Sequence, residues 1–255
     1  MHFDEFGRCI PGDIKSAHHK KTRRYFKLTD RKYDAGVVYD RSKAVWGSEI
    51  TLSREEFISK VQSIVTKLQN DSSVSNVLKG NWVPFLIPKT GKIDSIGEIV
   101  QSRWVPAVIK SFESADPQHK VTNHNKDDLA PMLKIRPGTR HEKLLQKAES
   151  SDVVGIFFPA MTEYSFAATT ERLDQLPSAF MLSGALDLSA AMIGAPDLLI
   201  NRDAYAPLLW FSSYEIEPGH SIHYEPYGYN LTFNRRPHLN AVAEYWWHGL
   251  TVISE

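Results

Sequence analysis

The sequence predicts an α+β fold, in which a mixed sheet with flanking helices ends in a C-terminal antiparallel meander. Helical spacings alternate with short apolar runs as far as about residue 194, a pattern typical of helices packed on buried strands. From residue 208 onward, alternation with period two is interrupted by turn residues, which indicates antiparallel strands. The 255 residues, 42% of them hydrophobic, are enough to build a sizeable core.

The first predicted elements are a hairpin and a helix. Residues 24–29 and 35–39 hold β-forming residues on either side of a charged turn, which predicts two paired strands. Ser53 and Glu56 have the spacing of a capping box, so we expect a helix to begin there and to continue to about residue 69. Apolar residues at spacings of three and four predict its buried face: Phe57, Val61, Ile64, Val65 and Leu68.

The next elements are a strand and a bent helix. Residues 81–87 are apolar enough for a buried strand, but Pro84 cannot donate to a strand ladder, so we expect an edge position. Residues 93–112 predict a helix that is bent or interrupted near Pro106. Beyond it, residues 116–138 are polar, rich in turn residues and longer than the usual connection.

Helices and strands alternate again after this polar segment. The predicted helices cover residues 139–149, 170–176 and 184–194. The predicted strands cover residues 153–158 and 179–182, followed by 208–216, 221–225, 229–233 and 250–253 in the meander.

The domain organisation follows from where apolar patterning begins and ends. Residues 1–20 are polar, with Pro11 and Gly12, and show no apolar period, so we expect a flexible basic arm. Residues 21–255 are predicted to form a single globular domain. Two lobes, 21–116 and 139–255, are expected on either side of the polar linker.

Composition indicates a soluble, cytoplasmic protein without a membrane span. No apolar run reaches the roughly 18–20 residues that cross a bilayer, and the N-terminus lacks the apolar stretch of a secretory signal. The single cysteine, Cys9, permits no internal disulfide, which agrees with a reducing compartment.

Charge is balanced overall, with 30 basic and 30 acidic residues, but it is unevenly distributed. Residues 15–32 hold eight Lys or Arg against the single Asp30, a local charge of +7. A basic stretch that contains Tyr25 and Phe26 could hold phosphates while the rings stack on bases. The candidates for such nucleic-acid binding are Lys20, Lys21, Arg23 and Arg24. We favour a solvated, charged lead-in over a nucleic-acid partner.

The most specific local group is formed by His220, His223 and Glu225. Residues two apart on a strand share a face, so we expect His223 and Glu225 to lie close enough for a hydrogen bond. An acid–base site would need a third group such as His238, and a metal site would need that residue or a bent strand that brings His220 to the pair. We favour a histidine bonded to a carboxylate at a sheet surface, which disfavours a divalent metal and leaves the cofactor open.

Residues 203–248 hold 11 of the chain's 28 aromatic residues and four of its ten histidines. Trp246 and Trp247 are adjacent, so on a strand they point to opposite faces and one ring can reach a surface. Arg235 and Arg236 follow a predicted strand, and their guanidinium groups suit a carboxylate or phosphate. These four residues are the candidate ligand-binding set.

Three functions are consistent with these patterns. We favour a binding or interaction module that uses the aromatic-rich C-terminal surface for a protein or small-molecule partner. The second is a hydrolase-like enzyme, metal-dependent or acid–base, centred on His223 and Glu225, and the third is nucleic-acid binding by the basic arm. Binding ranks first because diagnostic catalytic spacings are missing: the sequence has no phosphate-binding glycine loop, and His141 lacks the second histidine of a zinc-protease helix.

Overall fold

The computed structural model describes residues 1–19 and 25–255 and confirms the α+β fold. A mixed eight-stranded sheet and a small two-stranded sheet are formed within these residues. None of the helices in the described part of the chain combines the length and the apolar composition needed to span a membrane.

The N-terminal residues 1–19 lie against the body of the protein. Phe3 is fully buried and packs against Phe180 with ring centroids 5.6 Å apart, and the Cys9 N–H donates to the Ala160 carbonyl at 2.8 Å. Sequence patterning gave no sign of this packing because Phe3, Cys9 and Ile14 follow no helical or strand period. The division into an arm over residues 1–20 and a domain over 21–255 stays a prediction.

The expected hairpin is wrong, because helix α1 (Ala35–Trp46) occupies its second half. Asp34 caps this helix by accepting a hydrogen bond from the Val37 N–H, and the helix buries Val38 and Trp46. Burial of this face outweighs the strand preference of the β-branched residues. Within residues 25–34, Phe26 forms one isolated parallel bridge with Tyr205.

The next three predicted elements are confirmed. Helix α2 (Arg54–Asn70) begins with the Ser53–Glu56 capping box and buries the five predicted residues. Strand β1 (Val83–Ile87) is an edge strand, and this position tolerates Pro84, which has no N–H to donate to a neighbouring strand. The bent helix consists of α3 (Ile96–Ile99), a π-helical turn (Val100–Trp104) and α4 (Val105–Ala115), with Pro106 in the first turn of α4.

The polar segment after α4 contributes two short strands. Strand β2 (Val121–Asn123) pairs with the outer strand of the meander, and β3 (Lys134–Ile135) forms the small sheet with residues Tyr214–Glu215. The elements that follow are α5 (Glu142–Ser150), β4 (Val153–Thr162), α6 (Phe166–Asp174), β5 (Met181–Leu182) and α7 (Ala185–Gly194).

The C-terminal strands complete the sheet in the order β1-β4-β10-β6-β8-β9-β2, with β5 paired to β10. They are β6 (Leu208–Trp210), β7 (Tyr214–Glu215), β8 (His220–Tyr227), β9 (Asn230–Pro237) and β10 (Trp246–Ile253). Strands β6, β8 and β9 form the expected antiparallel meander. Strand β10 lies between β4 and β6, antiparallel to the first and parallel to the second, which makes the sheet mixed.

Different helices pack on the two faces of the sheet. Every residue of α7 is buried, and this helix packs against β1, α1 and α4. The Ser189 hydroxyl of α7 lies 3.0 Å from the Tyr224 hydroxyl of β8, so Tyr224 points to this face. Because side chains alternate along a strand, His223 and Glu225 point to the opposite face, where Phe166 of α6 packs on Trp210.

Candidate functional site

Three histidines and three large aromatic rings meet on the face opposite α7. Strand register places Trp210 beside both His223 and His248. The group, called here the histidine–tryptophan cluster, consists of Phe166, Trp210, His223, His238, Trp246 and His248, and all six are buried. Ring packing therefore fills this face of the sheet.

Trp210 lies at the centre of the cluster. Its ring centroid is 4.8 Å from that of His223, 5.1 Å from Phe166 and 5.4 Å from Trp246, in edge-to-face arrangements. His238 stacks on Phe166 with centroids 3.7 Å apart and planes 11° apart. Edge-to-face and stacked contacts therefore hold the cluster together.

The expected pairing of His223 with Glu225 is present. His223 Nε2 lies 3.3 Å from Glu225 Oε2, and Nη2 of Arg236 donates to the same oxygen at 2.6 Å. Arg236 Nη1 donates to the Tyr245 hydroxyl at 2.8 Å. Since an ionised carboxylate only accepts, a neutral His223 carries its proton on Nε2.

The surroundings keep His223 neutral and Glu225 ionised. Burial lowers the pKa of His223, although Glu225 partly opposes this effect. Burial raises the pKa of Glu225, but the hydrogen bonds from His223 and Arg236 and the positive charge of Arg236 together lower it below the ordinary value. The pair is therefore a hydrogen-bonded histidine and carboxylate near neutral pH.

The other two histidines of the cluster are also neutral. Burial and the charge of Arg136 lower the pKa of His238 to about 4. His248 Nε2 donates to the Tyr164 carbonyl at 2.9 Å, its Nδ1 accepts from the Ser212 hydroxyl at 2.9 Å, and burial lowers its pKa to about 3. Both rings act as neutral packing and hydrogen-bonding groups.

The candidate catalytic residues His223, Glu225 and His238 do not form one hydrogen-bonded site. Trp210 contacts both imidazoles, and its centroid lies 5.9 Å from that of His238. His223 has no exposed surface at all. A substrate in solution therefore has no access to this imidazole, and only Glu225 of the pair is partly exposed.

The candidate metal ligands His220, His223 and Glu225 are likewise divided. His220 pairs with Glu217 at 3.4 Å, because strand alternation and the turn before it direct its side chain away from His223. Within residues 1–19 and 25–255, no three His, Cys, Asp or Glu side chains are grouped so that they could hold a metal ion.

The candidate ligand-binding residues have separate structural partners. Arg235 pairs with Asp127 at 2.5 Å, whereas Arg236 pairs with Glu225. Trp246 belongs to the histidine–tryptophan cluster, and Trp247 packs against the main core. The adjacent tryptophans thus point in different directions, as strand alternation predicts.

The candidate nucleic-acid contacts Lys20, Lys21, Arg23 and Arg24 lie outside the described residues. Nucleic-acid binding through them stays a prediction.

A cleft of about 420 Å³ opens beside Glu225. Four aromatic residues line it, namely Phe26, Tyr205, Tyr229 and Tyr245, and we call it the tyrosine cleft. Tyr205 is 63% exposed and Tyr229 is 42% exposed. Exposed rings around one concavity are typical of a recognition surface.

Hydrogen bonds within the loop and to Lys27 hold the loop that carries Tyr205 in place. The Asn201 side-chain oxygen accepts from the Asp203 and Ala204 N–H groups, and its side-chain nitrogen donates to the Lys27 carbonyl at 2.8 Å. The Lys27 N–H donates in turn to the Tyr205 carbonyl at 2.8 Å. These bonds join two distant segments, which is why sequence patterning did not bring Phe26 and Tyr205 together.

Neither a protein-family model nor a curated protein or solved structure matches this chain. Its function must therefore be inferred from the geometry and chemistry of its own residues.

Proposed function

We propose that this protein is a binding module that holds a small organic ligand in the tyrosine cleft. The observation that carries the proposal is the convergence of Tyr205 and Tyr229, both substantially exposed, with Phe26 and Tyr245 on one concave surface. Tyrosine rings supply a large contact area at little cost in conformational entropy. The volume lies within the range of small-molecule sites.

The polar groups of the cleft support a ligand with an apolar ring and one hydrogen-bond donor. His223 and Arg236 both contact Oε2 of Glu225, and no described residue donates to Oε1, which can therefore accept from a hydroxyl or amine of a ligand. Asp203 and Arg202, which also line the cleft, have opposite charges. Their charges offset each other, and the carboxylate of Glu225 repels anions, so a planar ring with a neutral or cationic donor group suits this site better than an anionic ligand.

Binding is favoured over acid–base catalysis for two reasons. His223 is fully buried and has no route to a substrate in the cleft. The lowered pKa of Glu225 makes its carboxylate a weak base at neutral pH, whereas an effective general base titrates near the working pH.

The proposal can be tested by NMR titration with indole, tyramine, benzamidine and benzoate. We expect indole and tyramine to bind, and Tyr229→Ala or Tyr205→Ala to weaken their binding at least about tenfold, equivalent to about 1.4 kcal/mol. Tyr227→Ala is the matched control, because Tyr227 is 78% exposed on the same hairpin and does not line the cleft.

Indole and tyramine binding that is equal in the wild type and in both cleft variants contradicts the proposal. So does the failure of all four compounds to bind at millimolar concentration.

A further inference from the structure

A second cavity, remote in sequence from the tyrosine cleft, opens between α2, α5, β5 and the end of β10. Its volume is about 510 Å³, larger than that of the tyrosine cleft. Two helices and two paired strands form most of its wall, so its shape depends on regular elements rather than on a long loop. None of the residues that line the tyrosine cleft lines this cavity.

The floor of the cavity is apolar. Ile64 and Leu68 lie one helical turn apart on the buried face of α2, and Met181 comes from β5. The buried apolar lining residues are Ile64, Leu68, Val74, Phe180, Met181 and Val252. A floor of this composition removes an alkyl chain from water, which favours binding of an apolar tail.

The rim of the cavity carries three lysines: Lys67, Lys143 and Lys147. Lys67 forms an ion pair with Glu255. Lys147 donates to the Ser254 carbonyl, which is uncharged and so does not neutralise the ammonium group. Lys143 forms no ion pair with any described residue. Burial and the positive charge of nearby Lys60 lower the pKa of Lys147, although the charge of Glu255 partly opposes this effect. The lysines outnumber the acidic lining residues, Asp71 and Glu255, so the rim has an excess of positive charge.

The acidic groups at the rim leave this excess in place. Glu255 is held by Lys67. Asp71 accepts from both the N–H and the hydroxyl of Ser73, at 2.9 Å and 2.6 Å, and is thereby directed to its own turn. Within the described part of the chain, neither Lys143 nor Lys147 forms an ion pair with a carboxylate, and both stand beside the apolar floor.

We infer that this cavity binds a small amphiphilic carboxylate, whose apolar tail lies on the floor while its head group accepts from Lys143 and Lys147. Ammonium–carboxylate hydrogen bonds are stronger than neutral ones and give the head group its position. The tail supplies affinity through burial, which a simple inorganic anion lacks. A concave site of this kind excludes a flat membrane surface but admits a single chain.

Isothermal titration calorimetry with decanoate tests the inference, with all ligands kept below their micellar concentrations. We expect saturable binding of one decanoate. Binding of decanol should be at least about tenfold weaker because it lacks the charge, and decyltrimethylammonium should not compete, because its charge repels the lysines.

Variants locate the binding site. The double variant Lys143→Gln with Lys147→Gln should weaken decanoate at least about tenfold and leave decanol unchanged. Ala179→Trp should abolish binding of both, because Ala179 is an exposed residue that lines the cavity and a large ring there fills it without disturbing the core. Lys110→Gln, an exposed change on α4 outside the cavity, is the control and should have no effect.

Three results overturn the inference: equal binding of decanoate and decyltrimethylammonium, decanoate binding unchanged by Ala179→Trp, or no decanoate binding. Co-sedimentation with phosphatidylglycerol vesicles in the absence of decanoate binding also overturns it, because the lysines would then serve a membrane surface. Because the test uses none of the tyrosine-cleft residues, its failure is independent of the proposed function.

Discussion

Glu225 lies between the buried imidazole of His223 and the tyrosine cleft, with its Oε2 atom 3.3 Å from His223 Nε2. The same oxygen accepts from Arg236, which also donates to the Tyr245 hydroxyl at the wall of the cleft. One carboxylate thus connects the interior of the meander to the proposed ligand site.

The ion pair between Glu225 and Arg236 is expected to contribute to stability. Both side chains are about one quarter exposed, so solvent screens the pair only in part. A double-mutant cycle with Glu225→Gln and Arg236→Gln should give a coupling energy of about 1–2 kcal/mol in urea unfolding. A coupling energy near zero would mean that the ion pair orients the two side chains but adds nothing to the free energy of unfolding.

His248 should make the protein less stable as the pH falls below 6.5. Its pKa is about 3 in the fold, against an ordinary value of 6.5, so between these values the unfolded chain binds a proton that the native protein does not. The stabilisation is fully present above pH 6.5, and about 2 kcal/mol of it should be lost between pH 7 and pH 5.

The variant His248→Asn isolates this effect because asparagine does not titrate. The difference in unfolding free energy between pH 7 and pH 5, measured in urea, should shrink by about 2 kcal/mol in the variant, whatever its absolute stability. An unchanged difference would show that His248 takes up its proton in the native state.

The packing of the N-terminal residues predicts that they stabilise the fold. Phe3 is fully buried, so Phe3→Ala should reduce the unfolding free energy by about 3–5 kcal/mol. Phe6 is 48% exposed and is the matched control, so Phe6→Ala should have a much smaller effect. Equal, small effects of the two substitutions would support the flexible arm that the sequence suggested.

Gly97 tests how tightly the polar segment after α4 is held. A Cβ atom at this position would lie 1.8 Å from the Leu129 carbonyl oxygen, so Gly97→Ala must displace backbone and should destabilise the protein by about 3 kcal/mol or more. Gly91 faces open space with a positive φ of 69°, and Gly91→Ala should cost only about 1–2 kcal/mol. If thermal denaturation shows similar losses for both, residues around Leu129 move freely.

Features encoded by short spacings could be predicted from the sequence. The Ser53–Glu56 capping box and the apolar period of α2 fixed that helix, because capping and amphipathic burial act within a few residues. Pro84 placed β1 at an edge, and strand alternation brought His223 to Glu225. Each of these features depends on the backbone geometry of a few neighbouring residues, so the local sequence is enough to predict it.

Only the tertiary structure decided the rest. Residues 35–39 favour strand locally, yet α1 forms because its buried face packs on the core. The position of β10 between β4 and β6 also depends on pairing between strands that are distant in the sequence. The tyrosine cleft joins Phe26 to Tyr205 and Tyr245, which lie about 180 and 220 positions further along the chain. Its formation depends on long-range contacts, and no local sequence pattern reveals their free energy.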